Sequence, residues 1–318
     1  MKVLTARPRG FCAGVDRAIE VVEQVLEIYG APIYVRHEIV HNEFVVASLR
    51  EKGAYFTDDL DEVPEGAVLV FSAHGVSPAV REHAKRRSLQ VIDATCPLVT
   101  KIHLEVHKFH KRGFGIFYIG HHGHVETEGT LGEAPGLLQL VTNVEEARIV
   151  PPPDGDKLIY LTQTTLSIDE TADIVEVLKS RFPNLVDPPA GDICYATQNR
   201  QDAIKAIAHR SDVMLVIGST TSSNTRSLCL VAESLGVKSY LIGSAAELND
   251  DIFIGVETVG VTSGASAPEE QVQMVLDNLK ARGATNVEEV VVRDENVAFV
   301  LPRELNSGAR RLKMASLR

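Results

Sequence analysis

Three of the four cysteines in this chain stand in the same local context. Cys12 is followed by Val15, Ile19, Val22 and Leu26, an apolar stripe at helical spacing. Cys96 is followed by Pro97, which suits a first helical turn, and by the stripe Val99, Ile102, Val106 and Phe109. Cys194 precedes Ala203, Ile204, Ile207 and Ala208. Each thiol thus belongs near a helix amino terminus, whose partial positive charge favours a thiolate. Three convergent thiolates suit zinc or an iron–sulfur cluster and leave a metal position open for chemistry, whereas a closed structural site would want a fourth protein ligand. Cys229, inside Leu228-Cys229-Leu230-Val231, reads as a packing residue.

The segment His121-His122-Gly123-His124-Val125-Glu126 is the densest group of titratable residues. A zinc-hydrolase reading, with histidines on the metal, competes there with anion binding and acid–base work. His103, His107 and His110 are spaced as a metal pair would be, but their charged neighbours predict a solvated helix face. His37, His83 and His209 carry no signal. His41, His74, Ser222, Ser223, Asn224 and Ser266 are uncharged or weakly basic donors that, with helix amino termini, suit a phosphate. Turn and cap chemistry is the rival reading of the serines. No Gly-x-x-x-x-Gly-Lys-Ser/Thr occurs, nor a Gly-x-Gly-x-x-Gly after a strand, so no standard ATP or dinucleotide site is expected. A redox activity would then draw its electrons from another protein.

The elements that must position these residues repeat. After each cysteine helix a strand-like run ends in polar residues: Ile33-Tyr34-Val35 before His41, Gly115 to Gly120 before His124, and Val213 to Gly218 before Asn224. These lie 29, 28 and 30 residues beyond the respective cysteines. A second run follows in each block, leading to Ser72-Ala73-His74, Gln163-Thr164-Thr165 and Gly264-Ala265-Ser266. Helix start signals come next, at Ser77-Pro78, Ser167 with Glu170, and Ser266 with Pro268 and Glu269. Short apolar runs alternating with helices predict an α/β fold of three similar lobes with mostly parallel sheets. Ligands of such sheets bind beyond the carboxyl ends of the strands, where all these turns lie. Pseudo-threefold symmetry would aim three cysteines and six loops at one centre. The expected boundaries are 1–96, 97–193 and 194–282, with a strand and tail over 283–318.

The composition sets outer limits. The chain has 318 residues, 44% of them hydrophobic, and a formal net charge of -11. That charge argues against nucleic acid and anionic membranes as partners. No signal-peptide core and no apolar run of membrane-spanning length is present. A cytoplasmic location is expected, where structural disulfides are rare. An anionic substrate must then be held by a local site.

Further residues carry a resemblance that extends from Gly10-Phe11-Cys12-Ala13-Gly14-Val15 to about residue 302. They are Ser72-Ala73-His74-Gly75-Val76-Ser77, Asp93-Ala94-Thr95-Cys96-Pro97, Gly123-His124 through Glu126, Gln163 to Ser167, Cys194 to Arg200, Ser222-Ser223-Asn224 and Gly264 to Glu269. The chain resembles the 4-hydroxy-3-methylbut-2-enyl diphosphate reductases, which close the non-mevalonate isoprenoid pathway. The resemblance implies one [4Fe-4S] cluster on Cys12, Cys96 and Cys194, at the centre of three α/β lobes. It implies an open iron for the substrate hydroxyl, and loss of water on uptake of two electrons and two protons. Glu126 becomes the proton donor, supported by Thr164, with His124 as proton relay or diphosphate ligand. His41, His74, Ser222, Asn224 and Ser266 become the diphosphate clamp, with Ser223 beside them. A ferredoxin or flavodoxin becomes the electron donor, with Arg7, Arg9 and Arg17 as a docking patch, and the chain a monomer or homodimer. Val125 stands where the family usually has proline, and the loop Thr220 to Thr225 also departs from its pattern. Nothing carries over to the basic tail with Arg310, Arg311, Lys313 and Arg318.

Overall fold

The computed structural model describes residues 1–305; the tail discussed above lies outside them. The chain opens with β1 (Lys2–Arg7), α1 (Ala13–Tyr29), β2 (Ile33–Arg36), α2 (Glu43–Glu51), β3 (Ala54–Thr57), β4 (Val68–Phe71), α3 (Pro78–Arg86) and β5 (Gln90–Asp93). It continues with α4 (Pro97–Lys111), β6 (Phe114–Ile119), α5 (Val125–Leu131), β7 (Leu138–Val141), α6 (Val144–Ile149), β8 (Lys157–Thr162), α7 (Ile168–Arg181) and β9 (Leu185–Val186). The last third holds α8 (Tyr195–Ala208), β10 (Val213–Ile217), α9 (Ser223–Ser234), β11 (Lys238–Ile242), β12 (Thr258–Ser263), α10 (Glu269–Ala281) and β13 (Asn286–Val291).

All strand pairs are parallel. They form three sheets, ordered β3-β2-β4-β5, β7-β6-β8-β9 and β11-β10-β12-β1-β13. Parallel strands bury both faces, which is why β6 and β10 are apolar runs without alternation and buried throughout. Two separate apolar cores accordingly flank each sheet. The result is a three-lobed α/β fold of repeated plan.

The pairing of β1 departs from the expected boundaries. Residues 2–7 do not join the first sheet; β1 pairs with β12 and β13. In the other two sheets the fourth strand, β5 or β9, runs into a cysteine helix. β1 holds the equivalent place in the third sheet and runs into Cys12. The repeat is thus closed cyclically by the amino terminus. A short apolar strand carries no mark of which sheet edge it will join, so its sequence could not reveal this. The strand foreseen after residue 283 is β13, an added edge on the same sheet. Beyond it the chain returns to the first lobe, where Val300 O accepts from Arg17 and Leu305 enters the core.

Candidate active site

Cys12, Cys96 and Cys194 are the N-cap residues of α1, α4 and α8, and none uses its sulfur as a cap. Each cysteine N–H instead donates to a loop beyond a second-run strand: Cys12 to Ala265 O (3.3 Å), Cys96 to Ala73 O (2.9 Å) and Cys194 to Thr164 O (3.0 Å). Those loops hang in turn on the ends of the first-run strands or the loop just beyond, through Gly264 N to Ile217 O, Ala73 N to Ile39 O and Gln163 N to Ile119 O. A cation from each cysteine helix then reaches the next cysteine's loop. Arg17 donates to Ala94 O and Thr95 O (both 3.0 Å), Lys101 to Ala190 O (3.3 Å) and Gly191 O (3.2 Å), and Arg200 to Gly10 O (2.7 Å) and Phe11 O (3.2 Å). Arg17 and Arg200 are buried in this role. Arg17 therefore cannot serve a docking patch, and Arg9 is held by Glu269 and Glu289. The sequence showed the cations but not the carbonyls they would meet.

The twelve residues singled out for metal, substrate and catalysis line one cavity of about 100 Å³. Its remaining walls are largely apolar, from Val15, Val40, Leu98 and Val99 among others. Thr165 and Thr197 also line it and were not foreseen. Thr197 Oγ1 lies 3.3 Å from Cys194 Sγ and accepts from Asn224 Nδ2; its place one turn after a cysteine cap was the available signal.

The sulfurs do not behave as the helix ends alone would have them. Burial first, then repulsion from Cys12, pushes the Cys96 thiol up to about 12 and the Cys194 thiol up to about 11. Three buried thiolates need a bound cation to be stable together. Their spacing bears on which. Around one tetrahedral zinc the sulfurs would lie roughly 3.8 Å apart, given bonds of about 2.3 Å. The three Sγ atoms are not all within 4.8 Å of one another. The space between them is also kept open. A Cβ on Gly14 would fall 2.7 Å from Cys96 Sγ and 3.8 Å from Cys12 Sγ. These donors fit a multi-iron cluster better than a single ion.

Glu126 is buried, and burial raises its carboxyl above the ordinary range. Two bonds from Thr164 work against this: the N–H donates to Oε1 (2.7 Å) and the hydroxyl to Oε2 (3.1 Å). His41, His74 and His124 meet across the lobes, with ring centroids 4.1, 5.0 and 6.0 Å apart. Burial and then the neighbouring imidazoles push His74 well below its usual value and His124 down to about 3. These two are neutral donors and acceptors at neutral pH. His124 Nδ1 accepts from Glu126 N, so this histidine also caps α5.

The serine loops combine both roles considered for them. Ser222 caps α9 through Thr225 N (3.3 Å), yet lines the cavity. Asn224 Oδ1 accepts from Ala265 N within the third lobe, whereas Ser266 Oγ donates to His41 O and so ties the third lobe to the first at the cavity wall. Only His124 of the dense histidine segment reaches the cavity. His121 lines a different groove and His122 is exposed, so this segment does not gather its histidines around one metal position. His103 is not on a solvated face: it is buried, with Nδ1 2.8 Å from Glu133, which also bonds His107 (2.6 Å). The turn that follows α5 supplied a carboxylate partner that the helical spacing could not announce. Cys229 lies on α9, packed against an apolar core and away from the cavity.

The family model described as LytB protein matches residues 3–280. The chain belongs to the LytB family. Among curated members it is 51% identical over 308 residues to the 4-hydroxy-3-methylbut-2-enyl diphosphate reductase of Haemophilus influenzae (strain PittGG), covering 96% of this chain and 98% of that one. It is 54% identical over 305 residues to the enzyme of the same name from Bordetella pertussis, covering 96% and 94%. The solved structure of the E-1-hydroxy-2-methyl-but-2-enyl-4-diphosphate reductase from Plasmodium falciparum superposes with a TM-score of 0.95 at 40% identity, over 98% of this chain and 99% of that one. A second structure, of (E)-4-hydroxy-3-methyl-but-2-enyl diphosphate reductase, gives 0.61 at 30% identity, over 88% and 100%. Like these relatives, the chain is an oxidoreductase, and the three-lobed architecture is that of its family.

Proposed function

We propose that the chain reduces (E)-4-hydroxy-3-methylbut-2-enyl diphosphate to isopentenyl and dimethylallyl diphosphate, the last step of the non-mevalonate pathway. Each turnover consumes two electrons and two protons; the allylic C–O bond breaks, a C–H bond forms and water leaves. The observation that carries this reading is one cavity that joins three cap cysteines to a buried carboxyl and a histidine–serine wall. One [4Fe-4S] cluster per chain, held by Cys12, Cys96 and Cys194, would supply single electrons and an iron open to an oxygen ligand.

The chain's own residues do the rest. His41, His74 and His124 hold the diphosphate with neutral or induced imidazolium donors. Ser222, Ser223, Asn224 and Ser266 add polar groups beside the amino terminus of α9, whose dipole favours an anion. Glu126 delivers the proton that turns the leaving hydroxide into water, and Thr164 fixes the carboxyl's direction. His124, two residues from Glu126, orients that turn from the diphosphate side. The apolar walls exclude bulk water from reactive intermediates. The electrons come from a ferredoxin or flavodoxin type of carrier, in the cytoplasm, where buried thiols stay reduced.

Anaerobic purification tests the reading. The expected product is brown protein with about four iron and four sulfide per chain. It turns over the hydroxy-diphosphate with a chemical reductant. Colourless protein holding only zinc would overturn it. Cys229→Ser should leave the iron content unchanged; loss of iron would show that the ligand set is incomplete.

A further inference from the structure

His37 follows β2 with φ of 61°, in the left-handed region that non-glycine residues seldom occupy. Its Nδ1 lies 2.8 Å from Asp58 Oδ1, a carboxylate that Arg36 also bonds. A carboxylate only accepts, so Nδ1 carries the proton and Nε2 is the nitrogen left over. That Nε2 is buried and has no partner, and the same holds for Nε2 of His41. The His37 ring stands edge-on to His41 at 5.6 Å and to His74 at 6.0 Å. On its other side His37 lines a second cavity of about 90 Å³, with Ser72. Ser72 Oγ lies 3.2 Å from His74 Nδ1. His37 and Ser72 thus form a wall between this outer cavity and the histidines that line the main one.

A diphosphate brings several negative charges into a cavity lined by no lysine or arginine. Neutral imidazoles at a few ångströms from such an anion become better bases, because its charge offsets their desolvation. We propose that Asp58 and His37 form a carboxylate-oriented acceptor behind the cavity that stabilises the charged form of the histidine cluster, so that the cluster takes up a proton when a diphosphate binds. The proton comes from solvent and converts one imidazole of the cluster to imidazolium, whose N–H the bare His37 Nε2 is placed to accept; no bond to the substrate forms or breaks. His37 is a positioning residue that acts through His41 and His74. The charged and titratable groups facing it are Asp58 beyond β3, Arg36 on β2, Glu38 and His41 before α2, His74 beyond β4, and His124 and Glu128 at α5. Glu38 backs His41 (3.1 Å) as Asp58 backs His37, so both carboxylates favour the charged cluster.

The inference rests on reading the cavity as a diphosphate site, and calorimetry can separate the two. Inorganic pyrophosphate is titrated into the anaerobic holoenzyme near neutral pH, in buffers of different ionisation enthalpy. The wild type should take up protons on binding. His37→Gln and Asp58→Asn should keep their iron, bind pyrophosphate about tenfold more weakly and lose most of the uptake. In turnover they should raise KM far more than they lower kcat. Wild-type uptake retained in both variants would overturn the stabilising role of the pair, as would binding by the wild type without uptake. If His37→Gln does not fold, the exposed Asp58→Asn decides alone. No pyrophosphate binding to the wild type, and no competition with substrate, would remove the diphosphate reading itself and the role of the pair with it.

Discussion

At the scale of single residues, the acid is the clearest case. Burial raises the Glu126 carboxyl while Thr164 pulls it down, and burial dominates. The protonated form therefore persists to higher pH than in an ordinary glutamate, and a rate that needs this proton is present below the raised pKa and declines as pH rises through it. Glu126→Gln should keep the iron content, lower turnover by about 10²–10⁴-fold and abolish that decline. Full activity in this variant would exclude Glu126 as the donor. Gly14 gives a second test. An added Cβ would meet Cys96 Sγ at 2.7 Å, while alanine itself suits a helix better than glycine by about 0.5–1 kcal/mol. Gly14→Ala should thus lose iron without losing its helix content, read by iron assay and circular dichroism.

At the scale of elements, the three cysteine helices are clasped in a cycle. Arg200 shows how much rests on one clasp. It is fully buried on α8, bonds the Gly10, Phe11 and Ala196 carbonyls, and pairs with Glu295. Arg200→Met would leave Glu295 and those carbonyls without their partner. Removing one member of a largely buried ion pair costs about 3–5 kcal/mol, which urea unfolding would measure. The same variant should hold iron less firmly, because the Cys12 loop loses its tie to the Cys194 helix. Unchanged stability would mean that water replaces the guanidinium. The cysteine caps, the strand runs and the helix starts were legible because each is set by neighbours in the chain. The clasps were not, since Arg17, Lys101 and Arg200 look like ordinary helix-surface cations until the facing loop is known.

At the scale of the whole molecule, the ends of the described chain close the ring. β1 completes the third sheet, β13 covers its edge, and the segment to Leu305 crosses to the first lobe. Removing residues 283–318 would strip β1 of an edge partner, Arg200 of Glu295, Arg17 of the Val300 carbonyl, and the first core of Leu305. Burial of one leucine and loss of these bonds together amount to a few kcal/mol, and the apparent Tm should fall by roughly 5 °C. An unchanged Tm would show that the segment only decorates the surface.

By itself the sequence determined the recurring unit. Cysteine caps, apolar stripes and runs of buried strand depend on residues a few positions apart, so local chemistry suffices to read them. It also carried the family resemblance, and with it the residues now found around one cavity. Only the tertiary structure decided what depends on distant neighbours. It set the place of β1, the burial of His103 beside Glu133, the position of His37 behind the histidine cluster, and the raised thiol and lowered imidazole pKa values. Burial and charge are properties of the packed surroundings, and those surroundings come from segments far apart in the chain.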